Sequence, residues 1–286
     1  ENLTMRLAYE TADFIAQHKD TAFFAYLSFY AVHGPIQTTE SKWEKYRDKA
    51  VEAGLAEKGF KMNKYLPIRQ VQDNPVYAGL VETMDDAVGV VLRTLDSLGL
   101  SDKTIVVFTS DNGGVSSGDS FSTSNLPLRG GKGYQFEGGI REPYFLKIPW
   151  LEIAGKKSDV PVIGSDFYPT LLELTGAEPD PELHPDGISL VPLLKGDSIG
   201  DRSLIWHYPH YGNQGGEPSS IIRLGDWKLI HYYEDGREEL YNLKRDPYES
   251  DNQIQPEPEI RAKLSQELFA YLNSVGALFP TPDPEY

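Results

Sequence analysis

The run TIVVFTSDNGG, Thr104 to Gly114, carries β-branched and aromatic residues into Asp111 and Asn112, with Gly113 and Gly114 directly behind them. A carboxylate beside an amide offers two hard oxygens, a set that suits Ca2+ or Mg2+ better than a soft metal. Paired glycines let the backbone turn sharply or approach a ligand. Asn-Gly is also the commonest hairpin turn signal, so the dipeptide alone reads more economically as a plain turn. Lys132 stands among Gly130, Gly131 and Gly133 in LRGGKGYQFEGGIREP, Leu128 to Pro143, where an ammonium can reach an anion. A solvated loop is the plain alternative. It is not a nucleotide-binding phosphate loop, because Leu126 stands where that pattern needs glycine and Gly133 where it needs Ser or Thr. Arg141 and Glu142 read equally well as a structural ion pair. His33, in FYAVHGP, follows an apolar run and gains weight only if it faces the crevice of Asp111 and Lys132. His207 and His210, in WHYPHYGNQGG, lie among aromatic and glycine residues, which suits contacts to a carbohydrate and equally an aromatic core corner. Asp85 and Asp86 are adjacent in a helical pattern and diverge by about 100°, so they read as surface or local charge partners rather than a metal pair.

These residues need elements to hold them. Leu80, Val81, Met84, Val88, Val91, Leu92, Leu95 and Leu98 recur at helical spacing, which predicts a helix from Tyr77 to Leu98 closed by Gly99. The strand Thr104–Ser110 follows at once, and a long Gly- and Ser-rich loop from Asp111 to Gly139 comes next; loops of that length are usually functional or disordered. A helix is expected from Thr4, as N-cap, to about Lys19. AFFAYLSFY, Ala22 to Tyr30, reads as a buried strand. Residues 38–75 read as a polar surface excursion with a helical stretch near Trp43–Lys49. PYFLKIP, Pro143 to Pro149, is a further short strand, and SDFYPTLLELTG, Ser165 to Gly176, a short helix. The alternation and the apolar strands predict an α/β fold with a mostly parallel sheet flanked by helices over residues 1–200. Residues 201–286 read as a small antiparallel sheet, with the turn signal Glu234-Asp235-Gly236, and a packed helix from Pro258 to Leu272.

The totals exclude several classes. With 286 residues, 40% of them hydrophobic, the chain is long enough for a sizeable core. Its net charge of −16 repels nucleic acid and anionic membrane, so an anionic substrate needs a local cation. There is no cysteine, which excludes disulfides, thiolate zinc sites and cysteine nucleophiles. No run is apolar enough for a membrane span. The chain lacks a signal-peptide layout and a starting Met, which reads as a processed or truncated piece.

In order along the whole chain, YAVHGP, YAGLVETMDDAVGVVLRTLDSLGLSDKTIVVFTSDNGG, LRGGKGYQFEGGIREP, SDFYPTLLELTGA, DGISLVPLLKG and RLGDWKLI…ELYNLKRDPYESDN resemble the later part of an arylsulfatase-type sulfatase of the alkaline-phosphatase-like superfamily. The resemblance implies that Asp111 and Asn112 are ligands of one Ca2+. It implies that Lys132 binds a sulfate oxygen and helps stabilise the leaving group, and that His33 binds the ester near its bridging oxygen and protonates the departing alkoxide. The substrate would be a sulfated small molecule or glycan, with His207 and His210 as candidate sugar contacts, and the location periplasmic or extracellular.

The departures are equally specific. The family nucleophile is a formylglycine made from Cys or Ser in a Cys/Ser-x-Pro-x-Arg motif. This chain has no cysteine, and SNLPLR, Ser124 to Arg129, misses the pattern by one position. The family's Asp-Asp metal pair, second Lys and second His are also missing. The expectation is that an N-terminal part of the same protein supplies them and that this chain is inactive alone. A phosphate-ester hydrolase of the same superfamily and a non-catalytic sulfate- or carbohydrate-binding relative are the alternatives.

Overall fold

The structure is a computed structural model that describes residues 2–55, 59–118 and 122–285. The expected loop 111–139 therefore lies partly outside the described residues. Two compact units are formed, one from residues 1–149 with 211–217, the other from 150–210 with 218–286.

In the first unit, α1 spans Leu3–Gln17. Its cap is Asn2, not Thr4: the Asn2 Oδ1 accepts from the Thr4 and Met5 amides at 2.9 and 3.4 Å. The polar excursion contains α2, Glu40–Glu52, and a hairpin of β1, Phe60–Asn63, with β2, Leu66–Arg69. Helix α3 runs Pro75–Ser97, with Asn74 as N-cap and Pro75 in the first turn, where its missing N–H costs nothing. Asp86 meets the Lys42 ammonium at 2.6 Å, the charge partnership expected of that acidic pair. The apolar stripe of α3 packs Leu95 against Ile15 of α1 and Leu100, with Val91, Leu98, Phe23 and Val106 beside them.

Strand β3, Val106–Thr109, follows, then the one-turn α4, Glu137–Ile140, and β4, Tyr144–Lys147, which pairs antiparallel with β3 from Val106 opposite Lys147 to Thr109 opposite Tyr144. The strand expected at Ala22–Tyr30 is not formed: that segment carries no ladder among the described residues, and Phe24, Tyr26 and Tyr30 are 70%, 80% and 72% exposed. Its composition is that of a strand buried on both faces, but a strand exists only where a neighbour takes up its backbone groups. Every strand pair among the described residues is antiparallel.

The second unit begins with α5, Phe167–Thr175, ended by Gly176 at φ 77°, and α6, Val191–Lys195. A four-stranded antiparallel sheet follows in sequence order: β5 Ser203–Tyr208, β6 Ser219–Leu224, β7 Trp227–Tyr232 and β8 Glu238–Asn242. Helix α7, Pro258–Ser274, lays Leu264, Leu268 and Leu272 on Ile222, Leu229 and Leu240 of that sheet. All six are at most 2% exposed, so this is the best-sealed core of the unit. The antiparallel sheet with its packed helix is the one expected from the sequence. No helix among the described residues is long and apolar enough to cross a membrane.

Candidate active site

The site is built at the end of β3. The ladder with β4 stops at Thr109 because β4 is preceded by Pro143, which has no N–H to continue it. The Thr109 hydroxyl donates instead to the Pro143 carbonyl at 3.0 Å. The chain then leaves the sheet and presents Asp111 and Asn112. They do not form the hairpin turn that Asn-Gly suggests. Neither Gly113 nor Gly114 has the left-handed φ that such a turn requires. Gly113 is needed for close approach: a Cβ there would overlap the backbone carbonyl of Gly138, and its own N–H donates to the Gly139 carbonyl at 3.1 Å.

The same packing brings the lysine loop to this strand end. The Lys132 amide donates to the Gly114 carbonyl at 3.2 Å. Asn125 closes the arrangement: its Nδ2 donates to the Gly114 and Gly130 carbonyls at 2.8 and 3.1 Å, and its Oδ1 accepts from the Gly114 N–H at 3.2 Å. Sequence reasoning missed Asn125, since an Asn in a Gly- and Ser-rich loop carries no signal of its own. Asp111, Asn112 and Lys132 are thus held by one woven loop.

The electrostatics of this corner are unbalanced. Asn112 Oδ1 and Glu142 Oε1 are buried and accept no hydrogen bond. Each such acceptor costs about 1–3 kcal/mol when no donor or cation reaches it. Burial pushes the Glu142 carboxyl up, and the neighbouring Asp111 carboxylate adds to this, raising it to about 7. Burial and then the Glu142 charge also raise Tyr77. Glu142 forms no ion pair with Arg141 among the described residues, so that alternative reading is not realised. An unpartnered amide oxygen next to an exposed, unpaired Asp111 is a donor set that fits a hard cation. It is only part of one, because among the described residues no three His, Asp or Glu side chains are placed to hold a metal, and Ca2+ takes about six oxygens or more. Lys132 is half-buried and has no carboxylate within ion-pairing distance among the described residues, so its charge is available to an anion.

The histidines differ. His33 is exposed; its Nδ1 lies 3.1 Å from the Gly34 carbonyl, and no hydrogen bond or ring contact joins it to Asp111, Asn112 or Lys132 among the described residues. His207, on β5, has both ring nitrogens engaged, Nδ1 with the Ser220 hydroxyl at 2.6 Å and Nε2 with the Leu278 carbonyl at 2.9 Å. Those bonds leave it no nitrogen for a sugar. His210 is exposed and stands edge-on to Tyr208, with ring centroids 5.4 Å apart.

Comparison with known proteins adds the following. The family model described as Sulfatase matches residues 1–177, and the one described as N-sulphoglucosamine sulphohydrolase, C-terminal, matches residues 131–274. A sulfatase of Formosa agariphila is 34% identical over 277 residues, covering 88% of this chain and 46% of the relative. The steryl-sulfatase of Homo sapiens is 35% identical over 214 residues, covering 73% of this chain and 32% of the relative. The crystal structure of Ps i-CgsB in complex with k-i-k-neocarrahexaose superposes with a TM-score of 0.76 at 27% identity, covering 95% of this chain and 55% of that one. The fold is therefore the alkaline-phosphatase-like fold of the sulfatases, and the chain spans about half the length of the relatives it matches, or less.

Proposed function

The chain belongs to the sulfatase family, and from that premise we propose that the protein hydrolyses sulfate monoesters carried on a carbohydrate. The observation that carries this reading is the corner itself: an unpaired Asp111 and an orphaned Asn112 oxygen on the same woven loop as an unpaired Lys132. The carbohydrate is supported by the neighbour bound to k-i-k-neocarrahexaose.

A sulfate ester is a stable monoanion, and negative charge grows on the bridging oxygen as the S–O bond breaks. Lys132 would hold a sulfate oxygen and oppose that growing charge. With its backbone N–H hydrogen-bonded to the Gly114 carbonyl, it would act most strongly in the transition state. His33 would act as the acid. Its Nδ1 faces the Gly34 carbonyl, which leaves Nε2 of the protonated ring to give its proton to the departing oxygen. Asp111 and Asn112 would hold Ca2+, which when bound polarises sulfate oxygens and orients the nucleophile. The formylglycine, and the remaining ligands, would come from residues outside these 286, since the sequence has no Cys and no Ser-x-Pro-x-Arg. The chain alone is therefore expected to be inactive. Export to the periplasm or the cell exterior belongs to the same reading and rests on the family alone.

The test is turnover of a chromogenic aryl sulfate by the chain joined to a segment bearing the nucleophile motif. Lys132→Ala should cut kcat by about 100-fold or more, the scale seen when one transition-state donor is lost. Undiminished turnover in that variant would remove Lys132 from the mechanism. Faster turnover of an aryl phosphate would make the protein a phosphate-ester hydrolase, and no turnover of either would favour a binding relative.

A further inference from the structure

The segment Tyr211–Glu217 joins β5 to β6, yet it is packed into the unit that holds Lys132. It is tied there in the middle and at its C-terminal end. The Ser117 hydroxyl donates to the Gln214 carbonyl, the Gln135 amide to the Glu217 carbonyl, and the Lys64 ammonium pairs with the Glu217 carboxylate. Internal bonds from the Gly215 N–H to the Gly212 carbonyl, 3.2 Å, and from the Gly212 N–H to the Gly216 carbonyl, 3.3 Å, fix its shape. Gly215, at φ 109°, and Gly216 let it lie flat: a side chain on the first would strike the buried Tyr134 ring, and one on the second the Gly133 carbonyl. An anchored loop of this kind is built to hold one side chain in one place.

That side chain is Gln214. It lies against Gly133, the residue next to Lys132; a Cβ on Gly133 would come 2.9 Å from the Gln214 Cβ and 3.3 Å from its Oε1. Gln214 is half-buried, and its side-chain amide makes no hydrogen bond among the described residues. This donor–acceptor pair is left open against Gly133, the residue that follows the lysine.

We propose that Gln214 contacts a hydroxyl of the sugar that carries the sulfate ester, so that the Tyr211–Glu217 loop selects a hydroxylated leaving group over a flat apolar one. The proposal rests on Lys132 binding the sulfate. An amide can both donate to and accept from a sugar hydroxyl, which a phenyl ring cannot reciprocate. An amide that the bound sugar shields from water, and that the wrong substrate leaves unpaired, discriminates against that substrate.

The experiment compares a sulfated saccharide with a chromogenic aryl sulfate, using the protein with its nucleophile segment present. Gln214→Ala should lower the ratio of kcat/KM for the saccharide over that for the aryl sulfate by about tenfold, the loss of one neutral hydrogen bond. The loss should fall on KM rather than kcat. Gln214→Glu, which keeps an acceptor, should recover part of the ratio, and the melting temperature should not move. An unchanged ratio, or equal losses on both substrates, overturns the assignment of Gln214. If Lys132→Ala keeps full turnover, or the parent cleaves no sulfate ester, the functional reading falls and takes this inference with it. A changed Lys132 variant with an unchanged Gln214 ratio defeats the inference alone.

Discussion

Replacing Lys228 by Met should markedly destabilise the protein. Lys228 sits on the interior strand β7, opposite Arg223 on β6 and Tyr241 on β8. Its ammonium meets the Glu249 carboxylate at 2.7 Å, and both side chains are 0% exposed. Methionine matches the length and apolar stem of lysine, so little packing is lost. What remains is a carboxylate sealed from water that has lost the Lys228 cation. Removing one partner of a buried pair costs about 3–5 kcal/mol. At roughly 2–4 °C per kcal/mol for a chain of this class, the melting temperature should fall by about 10 °C. The double change Lys228→Met with Glu249→Gln removes both charges and should recover more than half of that loss. Urea and thermal unfolding of the four proteins of this cycle measure it. A single variant that loses less than about 1 kcal/mol, or a double variant as damaged as the single, would refute the premise that the pair is charged and dry.

Two further outcomes follow from other parts of the molecule. Gly113→Ala places a Cβ against the Gly138 carbonyl, backbone on both sides, and should cost about 1–3 kcal/mol; Gly164→Ala, with open space around it, is the neutral control in the same melting experiment. Burial pushes Glu238 up, but hydrogen bonds from His231, Arg261 and Ser265 overcome it and hold the carboxyl at about 2. Its folded-state value is depressed, so its stabilisation is complete above 4.5, the ordinary value, and is lost as pH falls from there toward 2. The stability difference between the parent and Glu238→Gln should shrink across that window; a difference constant with pH would show that Glu238 does not titrate with folding.

Local pattern was legible where one element decides its own fate. The stripe of α3 is written in eight apolar residues at helical spacing, and the helix formed within two residues of its expected ends. The helix α7 and the small antiparallel sheet it covers were equally readable. The candidate residues Asp111, Asn112 and Lys132 were legible in the sequence, but the packing that holds them was not. The glycines after Asn112 signal a turn to any local rule, whereas they serve a carbonyl contributed by residue 138. Ala22–Tyr30 shows the opposite error: its residues favour a buried ladder, and burial depends on neighbours that a local reading does not supply. WHYPHYGNQGG suits a sugar-contacting loop and an aromatic core corner equally, because nothing in its own letters says which unit residues 211–217 join.

That loop also sets an order of events in synthesis. The unit that holds Lys132 is discontinuous along the chain, since its last piece is 211–217. Chains leave the ribosome at about 5–20 residues per second, N-terminus first, so the lysine loop is exposed on the order of several seconds before Gln214 and Glu217 exist. Over that interval the Ser117 hydroxyl and the Gln135 amide have only water in place of the loop carbonyls they finally bind. Completion of this unit is thereby a late event of biogenesis, timed by the emergence of a hairpin whose strands belong to the other unit.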